Sequence, residues 1–216
     1  MLKKIALVSD FDGTISDNDF FFYIAEQYFD EKMLASWQQY LAGKKKHFDA
    51  LNEMFSNLRI SEEELKTFIS GIKIDKTFYS LAKFCKSEDI PVYVCSAGCD
   101  YYIKELLRDN ITKYNLKVVS NTGSYSPEHG LQMLPNKKFF DKNLGVSKTD
   151  LVKHLKKQNY FVIYCGDGFP DIEPSAFADK IFARKNLYEY CQDKAIKADF
   201  LKNFNIVKKY IEELQK

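Results

Sequence analysis

Ile5-Ala6-Leu7-Val8-Ser9-Asp10-Phe11-Asp12-Gly13-Thr14 passes from an apolar run into two carboxylates and a glycine. The apolar part predicts a buried strand, and the acidic part falls where that strand breaks into a loop. Side chains alternate faces along a strand, so Asp10 and Asp12 project to one side and Phe11 turns back toward the core. Gly13 lets the backbone turn sharply and come close to a ligand. Two like charges so near each other repel unless a cation lies between them or one stays protonated, and a divalent metal is the simplest remedy. Asp-Gly is also a common surface-turn pair; the apolar strand directly before it sets this one apart.

Further strand-type runs occur at residues 90–95, 116–119, 160–165 and 180–182, mostly separated by helical patterns. That alternation predicts an α/β fold, a Rossmann-like doubly wound parallel sheet. Lys148 to Lys157 places Leu151, Val152 and Leu155 on one face of a helix, and residues 204–214 repeat the stripe in a final surface helix. Between the first two strands the chain takes a detour far longer than one crossover needs. Residues 17–73 carry apolar groups at helical spacing, among them Phe20, Phe21 and Ile24, then Met33, Trp37 and Leu41, then Leu51, Met54 and Phe55. Ser61-Glu62-Glu63-Glu64 is a capping box opening a further helix that stops at Gly71. The expected organisation is a core of residues 1–16 and 74–216 with an inserted all-helical cap, residues 17–73, closing over the ligand-binding end of the sheet.

The 216 residues are 45% hydrophobic, enough for one sizeable packed domain. A net charge of +2 with scattered lysines gives no surface for nucleic acid or an anionic membrane, and Lys44-Lys45-Lys46 reads as a solvated loop. Cys85, Cys95, Cys99, Cys165 and Cys191 are odd in number and lack any CxxC pair, so they read as reduced core residues. Two lysines and then only four apolar residues before the acidic loop are too short for a signal-peptide core or a membrane span, which predicts a soluble cytoplasmic protein. The oligomeric state is left open.

Three further stretches carry the grammar of a site. Ser96-Ala97-Gly98 follows the second strand where a helix is expected to begin, and a hydroxyl with free amides at a helix amino end is a ready anion site, although Ser is also an ordinary cap. Lys148 stands at a helix start, a position the helix dipole disfavours for a cation unless an anion lies nearby. Gly166-Asp167-Gly168-Phe169-Pro170-Asp171 follows the strand ending at Cys165 and again sets carboxylates at a strand end. Oxygens from two strand ends suit a hard octahedral cation such as Mg²⁺; Asp171 could instead cap the helix that follows.

Together these motifs resemble the haloacid dehalogenase superfamily, whose signature is a nucleophilic Asp in DxD-G-T, a Ser or Thr after the second strand, a Lys, and a GD-xxx-D element. All four occur here in the family's order between residues 10 and 171. The helical insertion directly after the first motif resembles the subclass containing phosphoserine phosphatase and the phosphatase of methionine salvage. Asp17-Asn18-Asp19 and Phe182-Ala183-Arg184 look most like the latter group. The resemblance implies that Asp10 attacks phosphorus to form an aspartyl phosphate, while Asp12 protonates the leaving oxygen and later activates water. It implies Mg²⁺ held by Asp10, the backbone carbonyl of Asp12 and Asp167, with Asp171 in support. Ser96, with Ala97, Gly98 and Gly13 around it, and Lys148 would hold the phosphate. An acid at Asp12 favours a phosphate monoester over a halide, whose departure needs no proton.

The implied partner is therefore a small-molecule phosphate ester, with 2-hydroxy-3-keto-5-methylthiopentenyl-1-phosphate first and phosphocholine, phosphoethanolamine, thiamine phosphate and phosphoserine as alternatives. Phosphoserine needs a cation for its carboxylate, and the family's Arg position falls near Leu51 and Asn52; Arg59 reads as solvent exposed. Phe20, Phe21, Phe22 and Tyr23 are divided between pocket wall and cap core. Should the cap not choose the substrate, core loops around residues 121–125 would. Two non-enzymatic readings use the same residue types, a phosphorylated-Asp signalling module and a silent binding protein. Signalling receivers are shorter and lack both the insertion and the downstream Gly-Asp-Gly.

Overall fold

A computed structural model describes residues 4–216; Met1 to Lys3, on which the reading of the amino terminus partly rests, lie outside the described residues. In chain order the elements are β1 (Ile5–Ser9), α1 (Phe20–Tyr28), α2 (Glu31–Leu41), α3 (His47–Phe55), α4 (Glu62–Ser70), α5 (Lys76–Ser87), β2 (Val92–Cys99), α6 (Asp100–Leu107), α7 (Asp109–Tyr114), β3 (Lys117–Ser126), β4 (Gly130–Leu134), α8 (Lys148–Lys157), β5 (Phe161–Gly166), α9 (Ile172–Ser175), β6 (Lys180–Ala183), α10 (Lys185–Asp193), β7 (Asp199–Phe200) and α11 (Phe204–Leu214). The sheet order is β4-β3-β2-β1-β5-β6-β7, parallel throughout except for β4 against β3.

The apolar run of the first strand is buried on both faces, which is why it reads as continuous rather than alternating. Ile5 and Leu7 join the larger core under α5, α6 and α11, while Ala6 and Val8 join Leu151, Val152 and Leu155 of α8 on the opposite face. Ser147 caps α8 by accepting from the Asp150 N–H at 3.0 Å. The chain leaves β1 toward β2, β3 and β4 and returns to β5 on the other side of β1. The carboxyl ends of β1 and β5 therefore flank a topological switch point, where open α/β sheets bind ligands.

Helices α1 to α4 lie between β1 and α5, entered and left at a two-residue bridge between Ser16 and Ile74. Ser61 accepts from the Glu64 N–H at 3.1 Å and opens α4 as its sequence predicts. The inserted helices are also tied to the body of the protein away from this bridge. Asn143 takes the His47 N–H on its side chain at 3.1 Å and the Phe48 N–H on its carbonyl at 2.8 Å. The Met133 N–H reaches Asn52 at 2.7 Å, and the Tyr125 hydroxyl both donates to the Ile60 carbonyl at 2.6 Å and accepts from its N–H at 3.2 Å.

Two expectations are corrected. Ser96, Ala97 and Gly98 are not at a helix start: β2 runs on to Cys99, and α6 begins at Asp100. Cys95 pairs with Val119 and Cys99 with Asn121, so three residues on β2 face one on β3 in a bulge. Asn121 fixes that bulge by donating to the Ala97 carbonyl at 2.8 Å and the Leu144 carbonyl at 2.9 Å. Residues 121–125 are not a core loop either; they form the far half of β3, with Asn121 opposite Cys99 of β2 and residues 122–126 paired with β4. Helix α4 ends at Ser70 with Gly71 as its cap, as expected, and Gly71 keeps an ordinary right-handed backbone there.

Candidate active site

Asp10 stands just beyond β1, its N–H bonded to the Cys165 carbonyl at 2.9 Å, and its side chain is buried. The Phe11 ring is fully buried and its carbonyl takes the N–H groups of Thr14, Ile15 and Ser16, which curls the loop so that both carboxylates face the sheet's carboxyl end. Gly13 has a φ of +70°, and a Cβ there would come within 2.2 Å of Asp167 Oδ2. Its lack of a side chain lets the loop after β1 close onto the loop after β5. Thr14 Oγ1 completes that contact by donating to Asp167 Oδ1 at 3.1 Å.

Lys148 Nζ lies 2.7 Å from Asp10 Oδ1 and 2.7 Å from Asp171 Oδ1. Burial works against its charge, but the two carboxylates outweigh this and hold it firmly protonated. Asp171 is fully buried. Its Oδ1 also accepts from the Tyr164 hydroxyl at 2.7 Å, and its Oδ2 accepts from the N–H groups of Asp167 and Gly168, each at 3.0 Å. Burial opposes ionisation of Asp171, yet the Lys148 charge and these bonds hold its pKa below the ordinary value.

Asp10 and Asp167 are in the opposite condition. Burial, followed by the charge of Asp171, pushes both upward, and Lys148 and Lys185 offset this only in part. One carboxylate oxygen from each of Asp10, Asp167 and Asp171 lies within 4.8 Å of the others. A buried cluster of hard oxygens with uncompensated repulsion fits a divalent cation. Each oxygen of Asp171 already accepts from two donors, whereas each oxygen of Asp167 has one partner and Asp10 has one in all, so Asp10 and Asp167 keep the greater ligating capacity. The Asp12 side chain does not join it.

Asp12 faces the other way. Its Oδ2 accepts from the Tyr102 hydroxyl at 2.7 Å and from Ser96 Oγ at 2.8 Å, and its Oδ1 accepts from the Phe20 N–H at 3.1 Å. Burial raises its pKa while these bonds restrain the rise. Ser96 Oγ accepts in turn from the Gly98 N–H at 2.9 Å, so that amide is already engaged. A Cβ on Gly98 would meet the Tyr102 hydroxyl at 1.7 Å, and a glycine is therefore needed for Tyr102 to reach Asp12.

All the residues singled out in the sequence converge here: Asp10, Asp12, Ser96, Ala97, Gly98, Lys148 and Asp167 line one cleft of 610 Å³, with Gly13 and Asp171 directly behind. The sequence did not show Tyr102, nor Lys185, whose Nζ is 3.1 Å from Asp167 Oδ2. Lys185 sits two residues past β6 at the same edge of the sheet, and that position was the available signal. The side of the cleft formed by the inserted helices is largely apolar, with Phe21, Phe22, Trp37, Leu41 and Leu51 on it. Phe20 is instead core, stacked on Tyr102 with ring centres 4.1 Å apart, and Tyr23 is bonded to Asp17 at the surface. Arg59 is exposed and donates to its own loop carbonyls, and among the described residues no arginine lines the cleft. Asp19 does line it; burial and then the charges of Asp12 and Asp167 lift its pKa to about 7. The five cysteines are free and buried, and burial raises the thiol pKa of each, which leaves no thiolate for chemistry. Among the described residues no helix is long and apolar enough to cross a membrane.

A doubly wound sheet with a helical insertion after β1, and paired carboxylates answered by a buried lysine across the switch point, define a phosphatase of the haloacid dehalogenase superfamily, a phosphoric monoester hydrolase. Residues 40–210 match the pyrimidine 5'-nucleotidase (UMPH-1) family, and the chain belongs to it. The match takes in Ser96, Lys148, Asp167 and Asp171 and begins after the Asp10 loop. Among similar proteins are Pdp3-interacting factor 1 of Schizosaccharomyces pombe, 26% identical across 98% of this chain and 96% of its own length, and 2-hydroxy-3-keto-5-methylthiopentenyl-1-phosphate phosphatase of Bacillus cereus, 26% identical across 98% and 97%. In fold, the chain is similar to a phospho-aspartyl intermediate analogue of phosphoserine phosphatase, with a TM-score of 0.68 and 19% identity over 96% of this chain and 99% of that one.

Proposed function

We propose that the protein is a Mg²⁺-dependent phosphomonoesterase that works through an aspartyl phosphate on a small phosphorylated metabolite with an uncharged leaving group. The observation that carries this reading is the different company of two neighbouring carboxylates. Asp10 lies against the Lys148 ammonium and beside Asp167, where a divalent cation would offset the burial and repulsion that raise its pKa and leave it ionised as a nucleophile. Asp12 is buried among hydroxyl and amide donors, and its raised pKa suits it to carry a proton.

In the first step an Asp10 oxygen bonds to phosphorus as the ester P–O bond breaks, and Asp12 gives its proton to the departing oxygen. In the second, Asp12 takes a proton from water, the water oxygen bonds to phosphorus, and the bond to Asp10 breaks to release phosphate. Lys148 neutralises Asp10 and, with Ser96 once its hydroxyl turns from Asp12, holds phosphate oxygens. Mg²⁺ bound by Asp10, Asp167 and the Asp12 carbonyl would offset charge on the phosphate; Asp171 supports the site by fixing Lys148 and the loop after β5.

Residues 17–73 act as a cap in this reading, and the apolar wall they contribute selects the leaving group. The absence of a cleft arginine counts against phosphoserine. The methionine-salvage phosphatase among the relatives supports 2-hydroxy-3-keto-5-methylthiopentenyl-1-phosphate as the first substrate to try. Family membership and the cleft aromatics support a second reading, a pyrimidine nucleoside monophosphate stacked on the cap wall. Buried reduced cysteines agree with a cytoplasmic setting. The test is hydrolysis of these two, phosphocholine, phosphoethanolamine, thiamine phosphate and phosphoserine with Mg²⁺. We expect kcat/KM for the keto enol phosphate to exceed the others by at least about tenfold, a margin one or two good contacts supply. Preference for phosphoserine would refute the uncharged leaving group, and no turnover of any ester would refute the enzyme assignment.

A further inference from the structure

The wall of the cleft contributed by the inserted helices holds one polar ring that the chemistry above does not use. His47, the first residue of α3, lines the cleft among aromatic neighbours, with the Trp37 ring 5.7 Å away and the Tyr40 ring 5.2 Å away, both edge to face. Its backbone is fixed to the body of the protein through Asn143, so the ring is held at a set place opposite the acidic residues. Nδ1 is shut off from solvent and has no hydrogen-bond partner, and the structure gives Nε2 no partner either. A histidine used only for packing would have its buried nitrogen satisfied.

We propose that His47 is a specificity-determining residue whose Nε2–H donates to an uncharged acceptor, a carbonyl or ring oxygen or nitrogen, on the leaving group of the substrate. The tautomer follows from the burial of Nδ1. An orphaned buried N–H costs more than an orphaned lone pair on a weak acceptor, so the single proton of a neutral imidazole belongs on Nε2. The ring stays neutral at physiological pH because burial, aided by the Lys148 charge, lowers its pKa to about 4. A neutral Nε2–H offers a donor and no charge, which fits a carbonyl better than a carboxylate. Nε2, unlike Nδ1, is not shut off from solvent, so its donor is available to a group entering the cleft.

This inference rests on the phosphomonoesterase reading, and two measurements separate their failures. In the full chain with Mg²⁺, kcat/KM is compared for hydroxyacetone phosphate and n-propyl phosphate, equal in carbon count but differing in the carbonyl. The ratio of the two should fall about tenfold in His47→Phe and recover in part in His47→Gln, whose amide can donate. An unchanged ratio in both variants overturns the proposal. Failure of the unmodified enzyme to hydrolyse either ester counts instead against the phosphatase reading. Independently of turnover, nitrogen chemical shifts of the three histidines should show His47 protonated on Nε2 alone from pH 6 to 8; a proton on Nδ1 overturns the proposal whatever the activity.

Discussion

Asp171→Asn removes one charge from the site while hardly altering its volume. The wild-type carboxylate accepts four hydrogen bonds, two on each oxygen, from Lys148, Tyr164 and the N–H groups of Asp167 and Gly168. An amide keeps one acceptor. If its oxygen stays toward Lys148, its NH₂ meets two backbone donors; if it flips, the NH₂ meets an ammonium and a phenol. Two buried donors are orphaned either way. Removing one partner of a buried ion pair costs about 3–5 kcal/mol, and because Lys148 retains Asp10 we take the lower part, about 3–4 kcal/mol. At about 2–4 °C per kcal/mol for a chain of this size, Tm should fall by about 6–16 °C. The assay is thermal unfolding by circular dichroism of the metal-free protein at pH 7, with p-nitrophenyl phosphate turnover alongside, which should also drop because Lys148 and Asp167 share this anchor. Tyr164→Phe, which removes one donor, should cost about 1 kcal/mol. The Asp171 pKa is lowered on folding, so its stabilisation exists above the unfolded carboxylate pKa and disappears as pH falls through the lower folded value. The gap between wild type and Asp171→Asn should therefore close in acid. If Asp171→Asn is no more damaging than Tyr164→Phe at pH 7, the reasoning fails.

Asp10→Asn should abolish turnover, whereas Asp12→Asn should slow alkyl phosphates by about 10²–10⁴-fold and p-nitrophenyl phosphate much less, because a good leaving group needs no proton; steady-state kinetics on both esters checks this. Asp10 and Asp167 have raised pKa values in the folded state, so the metal-free protein should lose stability as pH rises through those values. Mg²⁺ at about a hundred times its Kd should then raise Tm by about 5–10 °C near pH 7.5 and far less at pH 5, as read by thermal shift. Ca²⁺ should inhibit, its looser coordination spoiling the in-line geometry. Lys185→Met should lower the Mg²⁺ concentration for half-maximal activity several-fold, since the ammonium competes with the metal for Asp167; a metal titration with p-nitrophenyl phosphate decides.

Strand cores and strand-end motifs were legible in the sequence because burial on both faces writes an unbroken apolar run, and a loop bearing carboxylates after such a run has few packing explanations. The final helix is found over Phe204–Leu214, as its stripe predicts. The far half of β3 was not legible: Asn121-Thr122-Gly123-Ser124 is polar, and its strand character comes from pairing with β4, whose Leu131 and Met133 supply the buried face. The bulge at Ser96–Gly98 likewise depends on Asn121, a residue distant in sequence. Tyr102 and His47 were hidden for another reason. Each occupies a position where packing alone accounts for the residue type, and only the partner of the hydroxyl, or the lack of one for the imidazole, reveals more.

The hydrogen bonds that join the inserted helices to Asn143, Met133 and Tyr125 bear on how molecules reach the carboxylates of the cleft. Lifting those helices as a hinged door would break five such bonds, about 5 kcal/mol at about 1 kcal/mol each. An open form would then be present in roughly one molecule in several thousand, and association that waited for it would slow in proportion. The cleft already reaches solvent beside the exposed rings of Phe22 and Phe169 and the side chain of Leu41. A phosphate ester that fits this standing opening needs no lifting of the helices, so its association rate would be independent of the rare open form.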